Sequence, residues 1–178
     1  MNLDGHLDVV VVHAGPGSLA VLLNAGNGTL SAPVDYPVSG AFPVDLAMGF
    51  VNQDSIPDAV VTNIASQSHS VCVLLGQPGP TLFGPATHYP FAGFPQSVAL
   101  ADVDGDGLPD VTTVFGTGWE TPGSAAVLLN QGGSFGPPTY YPVGSSPQSV
   151  TVADLDLDSA PDLVVANNSA NTLSVLMG

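Results

Sequence analysis

Neither lysine nor arginine occurs in the 178 residues, where ordinary usage would place roughly 20. With 15 acidic side chains and the four histidines neutral, the formal net charge is −15. Nucleic-acid binding draws its affinity from basic side chains that displace counterions, so it is excluded, and attachment to anionic membranes falls by the same reasoning. Cysteine is reduced to Cys72. No disulfide framework can therefore form within the chain, and the flanking Val71 and Val73 mark that thiol as a small buried hydrophobe. No apolar run approaches the ~18 residues of a membrane span, and no signal-peptide pattern is read ahead of the first aspartate loop. Helical periodicity is missing too, since scattered prolines and β-branched runs such as Val9 to Val12 oppose it. His6, His13, His69 and His88 stand at unrelated positions, so no histidine metal site or Ser-His-Asp arrangement is legible and no enzymatic activity is expected.

What is present is strongly patterned. Hydrophobic residues make up 44% of the chain, enough for a buried core, and the 17 prolines and 21 glycines are spread between short apolar segments in the manner of many strands joined by turns. Of the 15 acidic residues, 12 fall in four short loops, leaving only Asp35, Asp45 and Glu120 elsewhere. Clusters of one sign with no partner repel themselves unless a cation sits among them.

Aligned on those loops, Asp4, Asp54, Asp106 and Asp158 fall in register at separations of 50, 52 and 52 residues. Tyr36-Pro37, Tyr89-Pro90 and Tyr141-Pro142 recur with them, as do Val21-Leu22-Leu23, Val73-Leu74-Leu75, Val127-Leu128-Leu129 and Val175-Leu176-Met177. Self-similarity at this period signals a propeller or solenoid unit, and it rejects the nine-residue β-roll. Four β-rich segments fit each period. The expected fold is therefore all-β: four-stranded antiparallel blades of about 52 residues. The expected blades are 2–40 (partial), 41–92, 93–144 and 145–178 (partial), forming a single segment. Three strands precede Gly40, two sets of four end near Val143 and three more follow, about fourteen in all. Open blade edges invite pairing with another chain, so a homo-oligomer is expected, with a dimer favoured. Its closed ring would hold seven blades, or eight with some three-stranded.

The loop Asp102-Val103-Asp104-Gly105-Asp106-Gly107-Leu108-Pro109-Asp110 has carboxylates at positions 1, 3, 5 and 9 and glycine at position 6. Alternating carboxylates in a tight loop converge on one centre, and hard oxygen donors suit Ca²⁺, with the Leu108 carbonyl as a further ligand. Asp154, Asp156, Asp158 and Asp162 repeat the pattern, with Ala160 supplying the carbonyl and Ser159 in the glycine place, so binding somewhat weakened by strain is expected. The second loop keeps Asn52, Asp54 and Asp58 but has Phe50 at position 1 and Ser55 at position 6. The first offers Asn2, Asp4 and Asp8. All four loops have the alternative reading of Asx-turns that cap strands without metal.

In spacing and setting, D-x-D-x-D-G-x-x-D resembles the calcium loop of the FG-GAP repeats found in integrin α-chain propellers and their bacterial relatives. Phe83-Gly84-Pro85-Ala86 and Phe135-Gly136-Pro137-Pro138 resemble the family's Phe-Gly and Gly-x-Pro elements, with Leu30-Ser31-Ala32-Pro33 in the matching place of the first repeat. The resemblance implies an extracellular, calcium-dependent module for adhesion or ligand binding, carbohydrate among the ligands. The alternatives are a self-assembling structural fragment with no ligand beyond calcium, or a non-catalytic part of a larger secreted enzyme. For recognition the third blade stands out: Val127 lies 17 residues after Asp110, against 13 from Asp8 to Val21. The added residues include Trp119 and Glu120, an aromatic beside a carboxylate. That pair suits a sugar ring, or else the tryptophan packs across a blade edge or between subunits.

Overall fold

The computed structural model describes residues 1–15, 17–38, 42–65, 69–118 and 120–178. Valine-rich runs become strands between Asp, Gly and Pro turns, because β-branched side chains suit a pleated, half-buried surface. Fourteen strands result, with no helix among the described residues. The first sheet holds β1 (Val9–His13), β2 (Ser18–Leu22) and β3 (Val34–Pro37). The second holds β4 (Pro43–Gly49), β5 (Asp58–Asn63), β6 (Ser70–Leu74) and β7 (Thr87–Pro90). In the third are β8 (Phe94–Ala101), β9 (Asp110–Gly116), β10 (Pro122–Leu128) and β11 (Thr139–Ser145), and in the last β12 (Pro147–Ala153), β13 (Asp162–Asn167) and β14 (Thr172–Leu176).

Each sheet is antiparallel, with its strands neighbouring in chain order. The partition into three, four, four and three strands agrees with the strand count read from the sequence, and the sheets form propeller-like blades. The predicted border at residues 40 and 41 falls outside the described residues. Aligned on the aspartate loops, the first blade has no counterpart of β4, β8 and β12 among the described residues, and the last none of β3, β7 and β11.

The core lies between blades. Leu19, Val21, Tyr36 and Val38 of the first blade pack on Ala59, Val61, Cys72 and Leu74 of the second. The opposite face of that second blade, with Val60, Val71 and Val73, packs on Val98, Val111, Ala126 and Leu128 of the third. Val114, Ala125 and Val127 then meet Val150, Leu163 and Val165 of the fourth. This two-sided burial is why Val71-Cys72-Val73-Leu74 is apolar at every position instead of alternating. Cys72 sits within it, fully buried, and desolvation pushes its thiol up to about 12.

Two further devices join the blades. Near the first strands, the Asp45 carboxylate accepts from the Val98 N–H at 3.0 Å, and Ser97 Oγ accepts from the Val150 N–H at 3.4 Å. Farther out, the ring of Tyr36 on β3 meets Phe83 of the next blade edge-on at 5.3 Å, and its Oη accepts from the Leu82 N–H at 3.1 Å. Tyr89 on β7 repeats this with Phe135, at 5.6 Å between centroids and 3.1 Å from the Phe135 N–H. Such edge-to-face pairs are worth about 0.5–1.5 kcal/mol beyond the area they bury.

Candidate metal centre

The loop between β8 and β9 turns sharply because Gly105 and Gly107 adopt left-handed backbone, at φ 78° and 89°. That turn brings the backbone N–H groups of Gly105, Asp106 and Gly107 onto the carboxylate of Asp102, at 2.8, 3.1 and 2.8 Å. Asp104 Oδ1 accepts from the Asp106 N–H at 3.2 Å, and Asp106 Oδ1 from the Leu108 N–H at 2.8 Å. The result gathers Asp102, Asp104 and Asp106 with one carboxylate oxygen from each within 4.8 Å of the others. No cation of the protein stands near them, so the cluster is a ready acceptor for a divalent metal.

Asp110, the fourth carboxylate of that loop, is placed differently. It is buried at the start of β9, where Oδ2 accepts from the Val103 N–H at 2.8 Å and Oδ1 from the Asn130 N–H at 2.7 Å. One side chain thus ties the loop's beginning to the strand two away. Burial pushes its carboxyl above the ordinary carboxylate value, the two N–H groups partly offset this, and Asp104 and Asp106 add to the rise.

The fourth loop follows the same plan. Asp154 accepts from the N–H groups of Leu157, Asp158 and Ser159, and the Ala160 N–H donates to Asp158 Oδ1 at 2.8 Å. Here Leu157 and Ser159 take the left-handed positions, at φ 65° and 76°. Strain where the sequence has serine for glycine is therefore present, and a second strained residue accompanies it. Asp154, Asp156 and Asp162 are brought within 4.8 Å of one another. The Asp156 carboxyl is held above its ordinary value by desolvation and then by the charge of Asp158.

The other two loops satisfy themselves. Asn2 Nδ2 donates to Asp4 Oδ2 at 2.8 Å, and Asn52 Nδ2 donates to Asp54 Oδ2 at 2.9 Å. An amide thus quenches the carboxylate that a third acid would leave exposed, and neither loop gathers three acidic groups among the described residues. The hydrogen bonds from the His6 N–H and the Asn2 side chain hold Asp4 below its ordinary value. In the second loop, Gln53 and Ser55 do not adopt the left-handed backbone seen at the same positions elsewhere.

The ninth position is the constant one. Asp58 accepts from the Val51, Asn52 and Gly76 N–H groups, Asp162 from those of Leu155 and Gly178, and Asp8 from Asn24 and the terminal ammonium of Met1. Burial raises Asp58, with those N–H groups partly offsetting it. Burial also pushes Asp8 upward, but the ammonium and the Asn24 N–H outweigh it and leave that carboxyl below its ordinary value.

An FG-GAP-like repeat profile matches residues 1–61 and again residues 51–113, together well over half of the chain. The chain belongs to the FG-GAP-like repeat family. No curated protein matches it. The two acidic clusters occupy equivalent turns, between the first and second strands of the third and fourth blades, and the second profile match reaches the first of them. Of the recognition candidates, Trp119 lies outside the described residues, and Glu120 is exposed, with its carbonyl accepting from Ser145 Oγ at 3.3 Å.

Proposed function

We propose that this chain is a non-enzymatic, calcium-binding propeller module that binds a ligand or adhesion partner outside the cell. The observation that carries the reading is the Asp102 loop: three carboxylates within 4.8 Å on a doubly left-handed turn, in a chain with no basic side chain to neutralise them. Carboxylate oxygens on a short flexible loop suit Ca²⁺ better than softer metals, and small exposed sites of this kind match millimolar extracellular calcium. Asp102, Asp104 and Asp106 would hold one ion, and Asp154, Asp156 and Asp162 another. Asp110 and Asp158 stand beside them, and the carbonyls of Leu108 and Ala160 remain the candidate backbone ligands.

Titration calorimetry on the chelator-treated protein should give two equivalents of calcium per chain, and one after Asp104→Ala. Four equivalents, or none, would overturn the assignment. Light scattering during the same titration reads the oligomer. The outer blades expose Val9 and Leu30 at one end and Leu173, Val175 and Met177 at the other, which supports a dimer as the favoured state. A monomer indifferent to calcium would count against it.

Those exposed faces equally favour a second reading, a self-assembling structural propeller with no ligand beyond calcium. A glycan array separates the two. Reproducible binding lost on Trp119→Ala supports the recognition module, and an array without signal supports the structural one.

A further inference from the structure

Asparagine is followed by glycine at one place in the chain, Asn27-Gly28. The pair sits at the tip of the hairpin that joins β2 to β3, closed off by the Asn24↔Leu30 bridge and by the Ala25 N–H, which donates to the Thr29 carbonyl at 3.0 Å. Residues 25–30 are all exposed, and at Gly28, left-handed at φ 85°, even an added methyl would meet no atom within 4 Å. That exposure belongs to the hairpin and not to the place of its blade in the row. The equivalent tips of the second and third blades, at residues 77–81 and at Gln131, Gly132 and Ser134, are exposed with a preceding blade packed in place. No asparagine stands in either of those tips.

The side chain of Asn27 is held in one pose. Its Oδ1 accepts from the Thr29 N–H at 3.0 Å and from Thr29 Oγ1 at 2.6 Å, an Asx-turn that curls the amide forward along the peptide joining Asn27 to Gly28. Two donors on a carbonyl oxygen draw electrons from its carbon, and they stand where negative charge would gather if that carbon were attacked. The nucleophile that follows in the backbone is the Gly28 nitrogen, which reaches Asn27 Cγ by closing a succinimide ring. Glycine obstructs this closure least, having no Cβ. Asn63, Asn130 and Asn167 are buried, and none of them precedes glycine.

We propose that Asn27 is a self-modification site, whose side-chain amide is lost by attack of the Gly28 nitrogen, with water as co-reactant and Thr29 supplying the donors that activate it. The Gly28 nitrogen bonds to Cγ, the Cγ–Nδ2 bond breaks, and ammonia departs with the proton that the Gly28 nitrogen gives up. Water then opens the succinimide at either carbonyl, leaving aspartate or isoaspartate at position 27. Either product adds one negative charge to a chain already at −15. The aspartate keeps an acceptor for Thr29, whereas the isoaspartate puts an extra methylene into the main chain and breaks the turn. Asp4-Gly5, Asp104-Gly105 and Asp106-Gly107 are poorer substrates for the same ring closure, because an ionised carboxylate resists nucleophilic attack.

The test ages the whole folded chain at neutral pH beside a synthetic peptide of residues 23–31. Trypsin finds no lysine or arginine to cut, so fragments are made with a protease that cleaves at leucine and aromatic residues. Mass spectrometry and an isoaspartyl methyltransferase assay then read position 27. Folded chain and peptide should convert at comparable rates, faster at higher pH, with a mass gain of about one dalton confined to the fragment that holds Asn27. Thr29→Val keeps the backbone donor and loses the hydroxyl, so it should slow conversion of the folded chain by roughly two- to tenfold, and Thr29→Ser should restore the rate. Melting curves check that both variants fold. A folded chain that keeps Asn27 intact while the peptide is consumed overturns the proposal, as does a Thr29→Val chain that converts as fast as the parent or faster.

Discussion

Removing calcium is expected to lower the melting temperature of this protein by about 10–20 °C, as followed by differential scanning calorimetry with and without chelator. A ligand bound only to the folded state at about 100 times its dissociation constant adds roughly 2.7 kcal/mol per site. Two such sites would therefore contribute about 5 kcal/mol, and a chain of this length shifts by about 2–4 °C per kcal/mol. Without metal the clusters add repulsion, because Asp102, Asp104 and Asp106 crowd within 4.8 Å and Asp154, Asp156 and Asp162 do the same. Acceptors for that repulsion are absent from the sequence, which has no lysine or arginine. Returning calcium should restore the transition. A melting temperature unmoved by chelation would remove metal from the account of stability.

The second large effect is expected at Asp110, read in calcium-free buffer so that metal loss plays no part. Asp110→Ala leaves the Asn130 N–H unpaired in a buried site and the Val103 N–H unpaired in a half-buried one. An orphaned buried donor costs about 1–3 kcal/mol, so the pair together costs about 3 kcal/mol and lowers the melting temperature by about 6–12 °C. Raised as it is by burial, the Asp110 carboxyl gives back part of its hydrogen-bonding gain when ionised, which keeps the expected loss at that level. Asp104→Ala is the control. Its side chain is exposed, its one hydrogen bond is to an exposed backbone group, and its loss relieves repulsion in the cluster, so its calcium-free melting should match or exceed the parent. Equal melting of the Asp110 variant and the parent would show that the buried tie is not a support of the fold.

The period of the aspartate loops and the apolar runs between them made the strand count legible, because a strand buried on both faces is written as a continuous valine-rich run. The Tyr-Pro and Phe-Gly marks were visible as repeats. What could not be read was that Tyr36 reaches Leu82 and Tyr89 reaches Phe135, each 46 residues away in the next blade. Periodicity reports that a mark recurs and says nothing about which mark it touches. Asp45 looked like a stray acid outside the loops, yet it links β4 to β8.

In the loops, spacing identified the residues that gather at Asp102 and Asp154. It did not show that the ninth carboxylate receives N–H groups from two parts of the blade, apart from the gathered acids at Asp110 and among them at Asp162. The available signal was that Asp8 and Asp58 persist in the loops whose position 3 is asparagine, at Asn2 and Asn52. Position 4 was likewise missed: glycine at Gly105 is informative only once the left-handed turn is seen, since Leu3 and Leu157 bend the same way.

The tyrosine clasp divides the first two joints between neighbours, the phenolic half on one blade and the Phe-Gly half on the next. A joint built this way has polarity, like a hook facing one direction along a chain of links. Inserting or deleting a whole unit leaves each remaining hook facing an eye of the same shape, so the number of blades is a variable that the joints neither count nor limit.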